Sequence, residues 1–336
     1  MMRLPWFDFR APRSVAEAAK ILAAEGPQAM LIAGGTDLVP NMKRRHQTPA
    51  TLVSLRRVDE LHKMNGSLGA CLTLTQIVDS AQVREKYRGL WQAAAQIATP
   101  HLRNMGTLGG NLCLDTRCTY YNQNYEWRQA IDFCLKKEGE TCWVATASKR
   151  CVAVSSTDSA PALIALGAKV RLVSSTEQRD VPLAELYRND GIDYLSRKPD
   201  EILTEVMLPE AEGWRSTYWK LRRRGSFDFP VLGVAAAMKM KGDTVEEARI
   251  ALGAVASRPF LVDKAGAYLA GKKLTDDVIA EAAATVASRA KPMDNTDLDL
   301  YWRKEVVGAF AGYALKELRG DDMRATRARI ARQSLE

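Results

Sequence analysis

Five of the six cysteines in this chain, Cys113, Cys118, Cys134, Cys142 and Cys151, fall between residues 113 and 151, and only Cys71 lies outside. A structural disulfide framework would be spread along 336 residues. A local concentration argues first for a metal or cluster site. The same stretch carries Tyr120, Tyr121, Tyr125, Trp127, Phe133 and Trp143 and holds neither a helical nor a strand period. A segment with no amphipathic face cannot bury itself as an ordinary element. Residues of about 116–155 are therefore expected to form an insert folded around an inorganic centre. From Cys118 through Cys134 and Cys142 to Cys151 the spacing runs C-x15-C, C-x7-C and C-x8-C. Four thiolates suit either a 4Fe-4S cluster or a structural zinc. Neither the C-x2-C pairs of zinc ribbons nor the compact ferredoxin run is present, so spacing leaves cluster, zinc and plain core cysteines all open.

The insert follows the second of two glycine turns. The first, "LIAGGTDL", comprises Leu31, Ile32, Ala33, Gly34, Gly35, Thr36, Asp37 and Leu38, with the glycines directly after an apolar run. The second is Thr107, Leu108, Gly109, Gly110 and Asn111. Glycine lets successive N–H groups approach an anion with no Cβ in the way. Neither turn is G-x-G-x-x-G, so the dinucleotide fingerprint of the doubly wound fold is absent. Two such turns are nonetheless a means of clamping one cofactor.

Around these features the pattern is regular. "SVAEAAKILAAEG" carries a capping box at Ser14 and Glu17 and stops at Gly26–Pro27. The apolar runs 29–33 and 51–55 with a short helix between them make residues 1–60 a βαβ-like part. Helical stretches are expected at 74–84, 90–98 and 160–167, with a strand at 168–174. A polar, turn-prone "PEAEGW" separates a first domain, 1–212, from a second, 213–336. The second reads as strands at 216–222, 231–240 and 246–256 followed by three helices, an α+β order.

The net charge of +8 is scattered in short clusters such as "KRRH" and "KLRRR". These are expected to be solvated or partner-docking faces, with no nucleic-acid partner. No apolar run approaches the roughly 20 residues that span a bilayer, so no membrane association is expected. The N-terminus lacks a signal-peptide core, and a cytoplasmic location follows as an expectation.

"AGGTDLVPNMK", "TLGGNL", "DSAPALIAL" and "YWKLRRRGSFDFPVLGVAAAM" together resemble, in order and over essentially the whole chain, the FAD-binding medium subunit of the xanthine oxidase family of molybdenum hydroxylases. The resemblance implies an α+β fold: a two-part FAD-binding domain of the vanillyl-alcohol-oxidase/PCMH type, then a smaller α+β domain with a three-stranded antiparallel sheet. It implies that 31–38 and 107–111 hold the FAD pyrophosphate and ribose and that Asp158 contacts the adenosine-side ribose or its loop. It also places Leu203 and Lys220 near the flavin ring and Ile97, more loosely, near that ring or the adenine. The cysteine insert resembles the one that marks the beta subunit of 4-hydroxybenzoyl-CoA reductase, whose four cluster ligands match Cys118, Cys134, Cys142 and Cys151. By that likeness the chain is an electron-transfer subunit carrying FAD and one 4Fe-4S cluster. Its implied partners are a large molybdopterin subunit, a small subunit with two 2Fe-2S clusters in a dimer of heterotrimers, and a ferredoxin donor. The same subunit type for another aryl-CoA or N-heterocycle, and a zinc-stapled scaffold without redox function, are the alternatives.

Overall fold

In the computed structural model, residues 3–332 are described. The first part is a three-stranded parallel sheet in which Thr51–Ser54 lies between Asp8–Arg10 and Ala29–Ile32. The helix Val15–Glu25 packs on it through Ala18, Ala19 and Leu22. Ser14 accepts the Glu17 N–H as its pattern predicts, but the Glu17 carboxylate returns to the Arg13 N–H, one residue earlier than a capping box would have it.

The second part is a four-stranded antiparallel sheet in the order Leu68–Gly69, Ile202–Met207, Lys169–Val173, Gln178–Pro182. The stretch expected as one helix over 74–84 is two, Leu74–Asp79 and Ala81–Lys86. Ser80 ends the first and caps the second through Val83 N–H, which breaks the run. Every residue of the helix Ser159–Leu166 is buried. That explains its lack of a polar face: it packs against elements on all sides, including the strands of the C-terminal sheet.

The C-terminal sheet has the three long antiparallel strands read from the sequence, Trp214–Leu221, Leu232–Lys241 and Thr244–Gly253. A two-residue edge strand, Phe260–Leu261, makes a fourth. Helices Asp263–Leu269, Asp276–Arg289 and Leu300–Arg319 cover one face and enclose a separate core. The other face lies on the first domain. There Gln92 Oε1 accepts from Thr217 Oγ1 and Tyr218 N–H, and Gly89 N–H donates to Ser216 Oγ at 3.0 Å. Among the described residues no helix is long and apolar enough to cross a membrane.

Candidate functional site

The two glycine turns meet. A Cβ on Gly34 would stand 1.8 Å from the Met105 carbonyl oxygen and 3.1 Å from Gly106 N, so the first turn is laid directly on the backbone entering the second. Gly35 is glycine for another reason, its left-handed φ of 70°. Leu31 through Leu38 all remain half-buried although the segment runs between both parts of the domain, which leaves one side of the turn facing open space.

The second turn is not a loop. Leu108–Leu112 is a short helix, and Thr107 caps it by accepting the Gly110 N–H at 3.1 Å. Gly109 is buried against Ala70, where a Cβ would come within 2.7 Å of that side chain. Gly110 is exposed, and a Cβ there would meet only its own cap, Thr107 Oγ1. Asn111 Oδ1 accepts from Thr157 Oγ1, Ser159 N–H and Ser159 Oγ, which ties the turn to the start of the central helix and leaves the amide nitrogen as its free donor group.

Asp158 and Lys220, expected at opposite ends of a cofactor, are paired with each other. Lys220 Nζ lies 3.0 Å from Asp158 Oδ2 and also donates to Gln96 O, while Tyr218 OH donates to Asp158 Oδ1 at 2.8 Å. Both side chains are buried at the seam between the domains. Burial pushes the Asp158 carboxyl up and the Lys220 ammonium down, each against the pull of its partner's charge. Ile97 is half-buried next to this pair, with its carbonyl held by Arg103 Nη1. Leu203 packs its side chain into the core of the antiparallel sheet, so its place is fixed by packing.

Sequence reading missed Arg117. It is buried, ion-paired with Asp37 of the first turn, bonded to Asn41 Oδ1 and stacked 4.8 Å over the ring of Phe229. One side chain thus joins the first turn, the start of the cysteine insert and the C-terminal domain. Its neighbour Cys118 was the only signal at that position.

The insert gathers its thiols. Cys118, Cys134 and Cys151 share one buried cluster with Tyr121 and Ala153. Cys142 is buried as well, and near enough to Cys118 and Cys151 for charge on one thiolate to disfavour charge on another. All four are free of disulfides. Two successive left-handed residues, Asp132 and Phe133, swing the chain out of the helix Tyr125–Ala130 into the turn that presents Cys134. Burial raises the Cys118 thiol against N–H bonds from Tyr120 and Tyr121, and raises Cys151 to about 12 against an N–H from Ala153 and the charge of Lys136. The Ala153 N–H lies 3.4 Å from Cys151 Sγ. Among the described residues no group of three or more His, Cys, Asp or Glu is arranged to hold a single metal ion. Cys113 ends the second-turn helix and Cys71 is a core residue.

The C-terminal domain closes the base of the insert. Asn295 O accepts from Thr119 N–H and its Nδ2 donates to Val152 O, so one residue grips the chain beside Cys118 and beside Cys151. Arg303, fully buried, holds Met293 O at 3.0 Å and steadies that grip.

Comparison with known proteins places this arrangement. Residues 5–211 match the family model described as the FAD binding domain in molybdopterin dehydrogenase. Residues 216–318 match the CO dehydrogenase flavoprotein C-terminal domain. The chain is 27% identical to the glyceraldehyde dehydrogenase medium chain of Sulfolobus acidocaldarius, over 94% of this chain and 99% of that one. It is 31% identical to the FAD-binding subunit of an aldehyde oxidoreductase of Escherichia coli, over 85% and 93%. Among solved structures, carbon monoxide dehydrogenase from Hydrogenophaga pseudoflava superposes with a TM-score of 0.76 at 27% identity, covering 95% of this chain and 99% of that chain. The two-domain fold is that of the CO dehydrogenase flavoprotein, and the protein belongs to the FAD-binding medium subunits of the xanthine oxidase family, oxidoreductase subunits of molybdenum-dependent enzymes.

Proposed function

We propose that this chain is the FAD and 4Fe-4S electron-transfer subunit of a molybdenum-dependent 4-hydroxybenzoyl-CoA reductase. The observation that carries the reading is four buried, disulfide-free thiols gathered in a segment that begins a few residues after the second glycine turn. Cys118 and Cys151 already receive backbone N–H bonds. Hydrogen bonds to sulfur tune and stabilise iron-bound thiolates. In a 4Fe-4S cluster each thiolate takes its own iron, whereas one zinc needs all its sulfurs about 2.3 Å from a single point.

FAD fits the two turns on the same terms. The half-buried turn 31–38, the open approach at Gly110 and the free amide nitrogen of Asn111 are groups that would hold a pyrophosphate and ribose. Asp158, Lys220, Ile97 and Leu203 would form the wall toward the rings. When bound, the flavin supplies the exchange between one-electron and two-electron carriers. The chain's own residues orient it, exclude water from the seam and keep the thiol site close.

Substrate chemistry then belongs to partners: a large molybdenum subunit and a small subunit with two 2Fe-2S clusters, assembled as a dimer of heterotrimers, with a reduced ferredoxin as donor and a cytoplasmic location. Relatives named as medium or FAD subunits of carbon monoxide and nicotinate dehydrogenases support the subunit type. The nicotinate relative favours the second reading, a subunit serving another aryl-CoA or an N-heterocycle, since the residues here would bind carriers and not the substrate. Turnover of 4-hydroxybenzoyl-CoA by the assembled complex with reduced ferredoxin separates the two.

The thiol assignment is tested by Cys134→Ser. A neutral hydroxyl is a poor ligand, so the variant is expected to lose its iron while retaining FAD, because the glycine turns lie outside the insert. Iron and flavin content of the purified variant, with ferredoxin-driven turnover of its complex, check this. Unchanged iron content and turnover would remove Cys134 from the ligand set.

A further inference from the structure

Lys136 stands two positions beyond Cys134, yet its side chain turns inward and is only 6% exposed. Its Nζ donates to Asp115 Oδ1 at 2.8 Å, Thr116 Oγ1 at 2.5 Å and Gly191 O at 2.6 Å, so all three ammonium protons are used. The rings of Tyr121 and Tyr194 flank the charge at 4.7 and 5.3 Å. Gly191 joins this cation to the thiols. Its N–H donates to Cys151 O at 2.9 Å, and a Cβ at that position would lie 2.7 Å from Cys151 Sγ.

A buried lysine costs free energy unless it is paired and fully bonded. Neither glycine turn uses this one. Resting on the cluster reading above, we infer that Lys136 is a positioning charge that sets the reduction potential of the centre held by Cys118, Cys134, Cys142 and Cys151. Reduction adds one electron from the low-potential donor and makes or breaks no bond, so the centre gains one negative charge. A cation fixed next to the Cys151 ligand in a dry site favours that reduced form. Asp115, paired with the ammonium and accepting from the hydroxyl of Tyr121 in the thiol cluster, carries the opposite charge and opposes it. Asp115 N–H also approaches Asp37 Oδ2 of the first glycine turn at 3.4 Å, so the pair stands between the thiols and the flavin loops.

The two charges predict shifts of opposite sign. In a redox titration of the full-length protein followed by electron paramagnetic resonance, Lys136→Gln is expected to lower the midpoint of the iron–sulfur signal. Asp115→Asn is expected to raise it, and Lys136→Arg to remain near the parent value. No shift, or shifts of the same sign in K136Q and D115N with iron content intact, would overturn the inference and leave the cluster assignment standing. Should K136Q fail to retain iron, D115N alone decides: an upward shift supports the role and an unmoved or lowered midpoint overturns it. A parent protein without an iron–sulfur signal overturns the cluster reading itself, and this inference with it.

Discussion

Lys220→Met is expected to lower the stability of the folded protein by about 3–5 kcal/mol, the usual cost of leaving one charge of a buried pair without its partner. Methionine fills a similar volume, so the loss is electrostatic. Asp158 would keep only the Tyr218 hydroxyl, in a site where its side chain is 3% exposed. Against a total folding free energy of about 5–15 kcal/mol this is a large fraction. The pair also holds the seam: Lys220 lies on the strand Trp214–Leu221, Asp158 opens the central helix, and Gln96 O takes a second bond from the ammonium. Adding Asp158→Asn to Lys220→Met removes the orphaned charge, so the double variant is expected to be more stable than the single Lys220→Met protein. Urea midpoints of the parent, both single variants and the double variant measure the coupling. Strict additivity would show that the two side chains do not act as a pair.

Gly34→Ala is expected to empty the flavin site. Its Cβ would collide with the Met105 backbone carbonyl, which no side-chain rotation relieves, so the two turns must move apart. Overpacking of this kind costs about 1–3 kcal/mol. Its larger consequence is the lost registry between the two halves of the cradle. Gly35→Ala provides the contrast. There the strain is conformational, of the order of 1–2 kcal/mol for a left-handed residue, and the new methyl meets only the Ile32 and Val39 side chains at 3.3 Å. FAD-to-protein ratios from absorbance after gel filtration should therefore fall much further in G34A than in G35A. Equal and near-complete occupancy in both would mean that the meeting of the turns does not shape the cofactor site.

The contrast shows what a single sequence can disclose. Glycine pairs after apolar runs marked the turns, period and capping marked the long strands and helices, and clustered cysteines marked the insert. Each of these signals is local. The reasons for particular residues were longer in range. Gly34 is glycine because of Met105, and Gly109 because of Ala70, neither adjacent in sequence. Asp158 and Lys220 read as two separate cofactor contacts because nothing local links positions 62 residues apart, yet they form one pair. Thr107–Asn111 read as a loop because its glycines disfavour helix, and the Thr107 cap with tertiary packing overrode that preference. Arg117 and Asn295 carry no motif, and their roles exist only where the insert meets the first turn and the C-terminal domain.

The proposed electron-transfer role requires one chain to carry both a flavin and an iron–sulfur centre. Anaerobic purification followed by determination of FAD, iron, acid-labile sulfide and zinc per chain, with a visible spectrum, tests it most directly. The predicted result is a yellow-brown protein with one noncovalent FAD, about four irons and matching sulfide. Flavin with stoichiometric zinc and negligible iron would contradict it.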